Sequence, residues 1–427
     1  MKRVIRYFQD QAVQASEQKY SGSAYLSPQT KEPQQRMTHH SRSHYKDQHN
    51  AHHQSRSKHP STAAHSFPAH TSGGVGIPKS NGQREPSPPA IPEKLQRDIT
   101  RHQYAQDNIL QSYELYVPEL DSFHLSDLKG NRYWVIYIHG GYFRDPTVTS
   151  SSFYPALSNL ISHAHNHTLR RHFKSHTETT SSDKDIASHI AGYASLNYRL
   201  SPHPQSPQDL DTTSTYELRN AQWPDHLHDI LTAIAHLQAK YGFGERYLLV
   251  GHSVGATMAV LSTLVAEKSF RDPRNLAKSD LPKIDPPMAV LGVSGIYDFP
   301  LLHDSFPSYV ELTRNAIPDA SDDNAASPAK FSAQDYLDIW ASGDGKGKKN
   351  RAMILAHSRE DGLVDWKQVE AMERIFGPEP TLQGESSGKI VWKVVQLKGK
   401  HNEIWEKGHE LGRVIREAVG VMRDLDQ

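Results

Sequence analysis

The chain has 427 residues, 48 Lys and Arg against 48 Asp and Glu, and no cysteine. That length holds one large α/β domain with extensions; the missing cysteine excludes disulfides, thiolate metal sites and cysteine catalysis, and agrees with a reducing compartment. Residues 1–100 carry 14 Lys and Arg against 7 Asp and Glu, which leaves 34 against 41 beyond them, so the body is mildly acidic and nucleic acid is not an expected partner.

Residues 1–92 are rich in Ser, His, Gln and Pro and poor in apolar side chains. They read as a low-complexity, disordered tail, because such a composition buries too little apolar surface to order itself. His40 and His44, and His49 and His53, share the i, i+4 spacing of a helix face. No apolar stripe accompanies them, so metal binding is not the favoured reading. Lys2, Arg3 and Arg6 hint at a mitochondrial address, but Asp10 and Glu17 oppose it and the apolar core of a secretory signal is missing. The expected location is cytoplasmic. No apolar run has the length of a membrane span, so no membrane partner is expected.

Residues 93–427 are predicted to form the ordered domain. A helix is expected over Glu93–Leu110, then a strand over Tyr113–Val117. Tyr133–Ile138 is apolar throughout, as befits the interior of a mostly parallel sheet. A helix over Phe153–His163 and a polar surface insertion over 164–185 follow. Ile190–Tyr198 reads as a strand and Pro224–Tyr241 as a helix. Tyr247–Val250 reads as a buried strand, and Met258, Ala259, Leu261, Leu264 and Val265 keep helical spacing beyond it. Met288–Gly292 is the next strand. Over 294–341 the pattern becomes irregular and aromatic, with Tyr297, Phe299, Phe306, Tyr309, Tyr336 and Trp340, and is taken as a cap region. These aromatic residues are either the core of the cap or a slot for an aromatic substrate. Ala352–Ala356 resumes the sheet, and a helix over Val364–Phe376, a strand over Ile390–Leu397 and a helix over Gly408–Leu425 complete it. Strands alternating with helices imply a doubly wound sheet.

Between the buried strand and its helix lies Gly251-His252-Ser253-Val254-Gly255. A sharp strand-to-helix turn needs small residues on both sides of its tip and pushes the tip residue out of the sheet. This is the nucleophile elbow of an α/β-hydrolase, with Ser253 at the tip. A serine hydroxyl needs a base, and in this fold the acid and the histidine follow the nucleophile. His401, after the last strand, is the expected general base. Asp361 is the preferred acid to orient it, with Glu360 and Asp365 as competitors. Asp365 is expected in the first turn of the following helix, where negative charge is favourable. His139-Gly140-Gly141-Tyr142, together with the N–H of Val254, is the expected oxyanion and substrate-binding loop.

His139 to Pro146, Ser195 to Pro202, Pro224-Asp225-His226, Gly251 to Gly255 and Ser294 to Asp298 together resemble fungal kynurenine formamidases. The resemblance runs from about Tyr113 to the C-terminus. It implies an α/β-hydrolase that converts N-formyl-L-kynurenine to L-kynurenine and formate, in tryptophan degradation toward NAD. By position it assigns Ser253, Asp361 and His401 to the triad. The family usually carries Trp where this chain has Phe143. The basic tail and the 164–185 insertion have no counterpart in it. The reading requires no metal and no organic cofactor, names a small-molecule substrate as partner and allows a homodimer. Two alternatives stand beside it: a general carboxylesterase of the same fold, and a non-catalytic ligand-binding scaffold.

Overall fold

A computed structural model describes residues 93–118, 132–162, 186–264, 282–342, 348–385 and 387–427. The expected tail over 1–92 and the 164–185 insertion lie outside them. The described residues fall within one compact unit, Pro86–Gln427.

Among the described residues the strands are β1 (Thr100–Gln103), β2 (Ser112–Tyr116), β3 (Tyr133–Ile138), β4 (Ile190–Leu196), β5 (Tyr247–His252), β6 (Ala289–Val293), β7 (Arg351–Ser358), β8 (Thr381–Gln383) and β9 (Lys389–Leu397). They form one sheet in the order β1-β2-β4-β3-β5-β6-β7-β9-β8. The run from β4 to β9 is parallel, and β1, β2 and β8 add antiparallel edges. This is the α/β-hydrolase architecture expected from the sequence.

The helices are α1 (Glu93–Asp98), α2 (described over 154–162), α3 (Asp225–Tyr241), α4 (Val254–Leu261), α5 (Phe299–Ser305), α6 (Tyr309–Ala316), α7 (Asp322–Ala325), α8 (Ala333–Tyr336), α9 (Lys367–Phe376), α10 (Glu403–Lys407) and α11 (His409–Asp426). They cover both faces of the sheet, and β3 shows why. Trp134, Ile136 and Ile138 join the core under α3 and α4, while Tyr133, Val135 and Tyr137 join the core under α2 and α11. A strand whose alternate residues feed two cores must be apolar at every position, and β3 is. Burying each such side chain contributes about 1.5–3 kcal/mol. On α11, Leu411, Val414, Ile415, Ala418, Val419 and Met422 are buried, at the three- and four-residue spacing that puts them on one side of a helix.

Two expected helices begin or end elsewhere. The helix expected over Glu93–Leu110 stops at Asp98, because Thr100–Gln103 pairs antiparallel with β2. Sheet pairing supplies the backbone partners that a helix would have given, and tertiary context overrides local propensity. The helix expected from Val364 begins at Lys367. Asp361 Oδ1 accepts the N–H groups of Leu363 and Val364, at 3.0 and 2.9 Å, which holds them in a side-chain-capped turn. Asp365 consequently precedes the helix and does not lie in its first turn.

Over 299–341 the chain runs through α5 to α8 and a last irregular helical turn, Leu337–Ala341. Tyr297, Phe299, Tyr336 and Trp340 are buried in the main core. Phe306 and Tyr309 are only partly buried.

The parallel registers bring the site to one edge. Ile138 lies beside Gly251, His252 beside Val293, Val293 beside Ala356, and Ser358 beside Leu397. The loops after β3, β5, β7 and β9 therefore leave the sheet side by side, at the carboxyl edge where such sheets place their sites.

Candidate active site

Ser253 stands between β5 and α4 with φ 55° and ψ −126°, and is almost fully buried. A non-glycine residue there costs on the order of 1–3 kcal/mol. The surrounding backbone imposes it. Ser253 N–H donates to Val293 O at 2.9 Å. A Cβ on Gly251 would meet Gly255 O at 2.2 Å, and one on Gly255 would meet Ile138 O at 2.3 Å. The two glycines let the turn press against its own helix and against β3, and that packing aims the Ser253 side chain off the sheet.

His401 and Asp361 come from the loops after β9 and β7. His401 Nδ1 lies 2.8 Å from Asp361 Oδ2. The Asp361 carboxylate is completely buried and the imidazole nearly so. Burial would raise the Asp361 pKa. The hydrogen bond and charge of His401, and the N–H groups of Val364 and Leu363, hold it down instead at about 2. Asp361 is therefore ionised at neutral pH and can only accept. The proton between the pair sits on Nδ1, which leaves the lone pair on Nε2. Of the competing acids, Glu360 is exposed. Asp365 meets Lys367 at 3.8 Å, and its Oδ1 has no hydrogen-bond partner among the described residues.

The loop after β3 is held in an unusual shape. Gly141, Tyr142 and Phe143 have φ of 88°, 49° and 67° in succession. Gly140 O accepts from Tyr198 Oη at 2.9 Å and from His139 Nδ1 at 2.9 Å. The His139 ring stacks on Tyr198, with centroids 4.4 Å apart. Burial lowers the His139 pKa to about 4, so the ring is neutral. Gly141 O is occupied by the N–H groups of Arg144 and Asp145. With the loop's carbonyls turned onto these partners, the N–H groups of Gly141 and Tyr142 find no acceptor among the described residues. Neither does the N–H of Val254, which opens α4, where the first N–H groups lack partners within the helix.

Tyr142 ties this loop to the 294–341 region. Its hydroxyl lies 2.7 Å from Thr313 Oγ1, and its ring is 5.1 Å from that of Tyr309. Phe143 is fully buried against Trp223, His226 and Phe299. Phe143 thus lies enclosed beneath the loop.

Two histidines that carried no separate sequence signal complete the arrangement. His252 Nε2 donates to the main-chain carbonyl of His401 at 3.1 Å, and the two rings are 4.7 Å apart. His357 Nε2 donates to Val364 O at 3.0 Å and lies 3.9 Å from Asp361 Oδ2. Both are buried, and burial lowers both pKa values, that of His252 to about 3. A sequence shows these two imidazoles but not the main-chain carbonyls that they hold.

No family model matches the chain. A kynurenine formamidase-like hydrolase of Fusarium equiseti is 28% identical over 320 residues, which cover 74% of this chain and 91% of the relative. A kynurenine formamidase of Saccharomyces cerevisiae is 28% identical over 239 residues, covering 56% and 73%. Among solved structures, an esterase B from Lactobacillus rhamnosis has 14% identity and a TM-score of 0.45, covering 78% of this chain and 89% of that one. A kynurenine formamidase of Aspergillus versicolor is 31% identical over 296 residues, covering 65% of this chain and 84% of its own length. Identity at that level, sustained over most of the relative, settles descent: the chain belongs to the kynurenine formamidase family.

Proposed function

We propose that the chain is a serine hydrolase that cleaves the formamide of N-formyl-L-kynurenine to L-kynurenine and formate. The observation that carries this reading is the Asp361–His401 hydrogen bond of 2.8 Å at the sheet edge where Ser253 occupies its strained turn. The names of the relatives give the substrate class.

His401 Nε2 takes the Ser253 proton as Oγ attacks the formyl carbon. Asp361 keeps the ring in the required tautomer and stabilises the imidazolium. The negative oxygen is met by the free N–H groups of Gly141, Tyr142 and Val254. Each such donor is worth about 3 kcal/mol in the transition state. The imidazolium then protonates the arylamine nitrogen, and L-kynurenine leaves. Water, deprotonated by His401, attacks the formyl-enzyme, and formate departs as Ser253 regains its proton. No step calls on a metal or an organic cofactor. The 294–341 region serves as the cap, with Tyr309 beside Tyr142 offering an aromatic face to the substrate ring.

The test is to supply N-formyl-L-kynurenine and short 4-nitrophenyl esters to the same preparation and to follow kynurenine absorbance, formate and nitrophenolate. A kcat/KM higher for the formamide than for the esters supports the reading. Ester turnover with no kynurenine formed would make the chain a general carboxylesterase of this fold.

A further inference from the structure

We propose that Arg144 forms an anion subsite that takes the α-carboxylate of an amino-acid substrate, which rests on the formamidase reading of the adjoining loop. The residue is nine-tenths buried, at 8% exposure. Among the described residues its guanidinium makes no hydrogen bond and no ion pair, and Nη1 is enclosed without a partner. Burial pulls its pKa below the ordinary arginine value. A guanidinium presents five donors and stays charged, so leaving one desolvated and unpaired is costly.

Elsewhere arginines that leave the surface meet a carboxylate. The half-buried Arg199 meets Asp229 at 2.8 Å. The buried Arg351 meets Glu245 at 3.2 Å and donates to Trp340 O at 3.0 Å, although its Nη2 has no partner among the described residues. Arg144 has nearby anions but pairs with none. Asp145 lends its field, but its Oδ1 accepts from the N–H and hydroxyl of Thr147, at 2.8 and 2.7 Å. Glu311 also contributes to the field and is exposed on α6. A missing bidentate anion fits the fork of this side chain.

Its position fits the substrate class. The Arg144 N–H donates to Gly141 O at 3.1 Å, so the residue is anchored to the loop proposed to hold the formyl oxygen. In N-formyl-L-kynurenine the formamide and the chain that ends in the amino acid are ortho on one ring. Both polar ends can therefore meet one side of the site. The negative field of Asp145 and Glu311 suits the ammonium of the same amino acid.

The experiment compares N-formyl-L-kynurenine with N-formylkynuramine, which lacks only the carboxylate, in the wild-type chain, Arg144→Met and Arg144→Lys. The readout is the ratio of the two kcat/KM values. The wild type is expected to favour the carboxylate at least about tenfold, in line with charge-assisted hydrogen bonds. Arg144→Met brings the ratio to about one, and Arg144→Lys keeps part of it, since a point charge lacks the fork. Calorimetric binding of L-kynurenine and kynuramine to the same chains reads the subsite without turnover. If neither formamide is hydrolysed but L-kynurenine binds more tightly in an Arg144-dependent way, the formamidase reading falls and the subsite stands. A wild type that does not discriminate in turnover or binding, or an Arg144→Met chain that keeps the preference, overturns the subsite. Should Arg144→Met fail to fold, the wild-type ratio and its reduction in Arg144→Lys decide.

Discussion

The imidazole of His252, the residue just before Ser253, reaches across the site and holds the main-chain carbonyl of His401 at 3.1 Å. The elbow and the loop after β9 are thereby joined by a hydrogen bond that involves neither the Ser253 hydroxyl nor the His401 ring. Because the partner is a carbonyl, His252 Nε2 must carry the proton, and burial keeps the ring neutral.

His252→Phe keeps most of the ring volume and removes that donor. The expected result is a fall in kcat of up to about 10²-fold, the scale of a small displacement of a catalytic group, with KM little changed. The lost bond costs about 1 kcal/mol of stability. Steady-state kinetics with a urea melt checks it; an unchanged kcat would show that the loop needs no such support.

Asp361→Asn should lower turnover by about 10⁴-fold, because an amide neither stabilises the imidazolium nor enforces its tautomer. The fold should persist, since the Asn carbonyl still accepts from Leu363 and Val364. Asp365→Asn and Glu360→Gln should cost far less, as neither side chain reaches His401. Circular dichroism with kinetics on the three variants decides. A greater loss for Asp365→Asn would displace Asp361 from the role.

The depressed pKa of Asp361 also predicts a change in acid stability. Its ionised form is favoured in the folded state, so its contribution is present above 3.8 and is lost as pH falls from 3.8 through about 2. The difference in unfolding free energy between wild type and Asp361→Asn should shrink over that window.

Three neutral, buried imidazoles act in a higher window. Burial lowers His139 to about 4 and His226 and His252 to about 3, from 6.5. Each binds its proton more readily in the unfolded chain. Their stabilisation is complete above 6.5 and is lost as pH falls through about 4 for His139 and about 3 for His226 and His252. Three protons give a slope of up to about 4 kcal/mol per pH unit. His226→Gln should make that slope shallower. Urea unfolding at pH 7.0, 6.0 and 5.0 tests it, and a stability that is flat over this range would contradict the account.

Thr313 locks the region beyond β6 to the loop after β3. Its hydroxyl donates to Tyr309 O at 2.9 Å, so it accepts from Tyr142 Oη and His303 Nε2, both at 2.7 Å. Thr313→Val preserves the shape and strands two partly buried donors, at up to about 1–3 kcal/mol each. A lower melting temperature and a raised KM are expected. Wild-type values for both would show that the contact is incidental.

The five central strands were legible because strands buried on two faces are apolar without interruption, as Tyr133–Ile138 and Tyr247–Val250 are. The places of Ser253 and Asp361 could be read because each follows such a strand, and that of His401 because it follows the last strand, β9, even though Lys393 and Gln396 interrupt its apolar run. β1 was not, since Thr100–Gln103 has an edge strand's polar composition, and its partner is set by the fold. The start of α9 was hidden because the side chain of Asp361 caps the turn before it. The state of Arg144 was invisible too: a sequence shows a guanidinium but not whether anything faces it.

The central claim is that Ser253 performs formamide hydrolysis, and the most direct measurement is kynurenine and formate release from N-formyl-L-kynurenine by the wild-type chain and by Ser253→Ala. The account predicts stoichiometric release of both products by the wild type. It predicts a loss of at least about 10³-fold in Ser253→Ala with the fold intact, since removing a triad nucleophile costs many orders of magnitude. A wild type that releases no kynurenine, or a Ser253→Ala chain that keeps more than about one per cent of the rate, would contradict it.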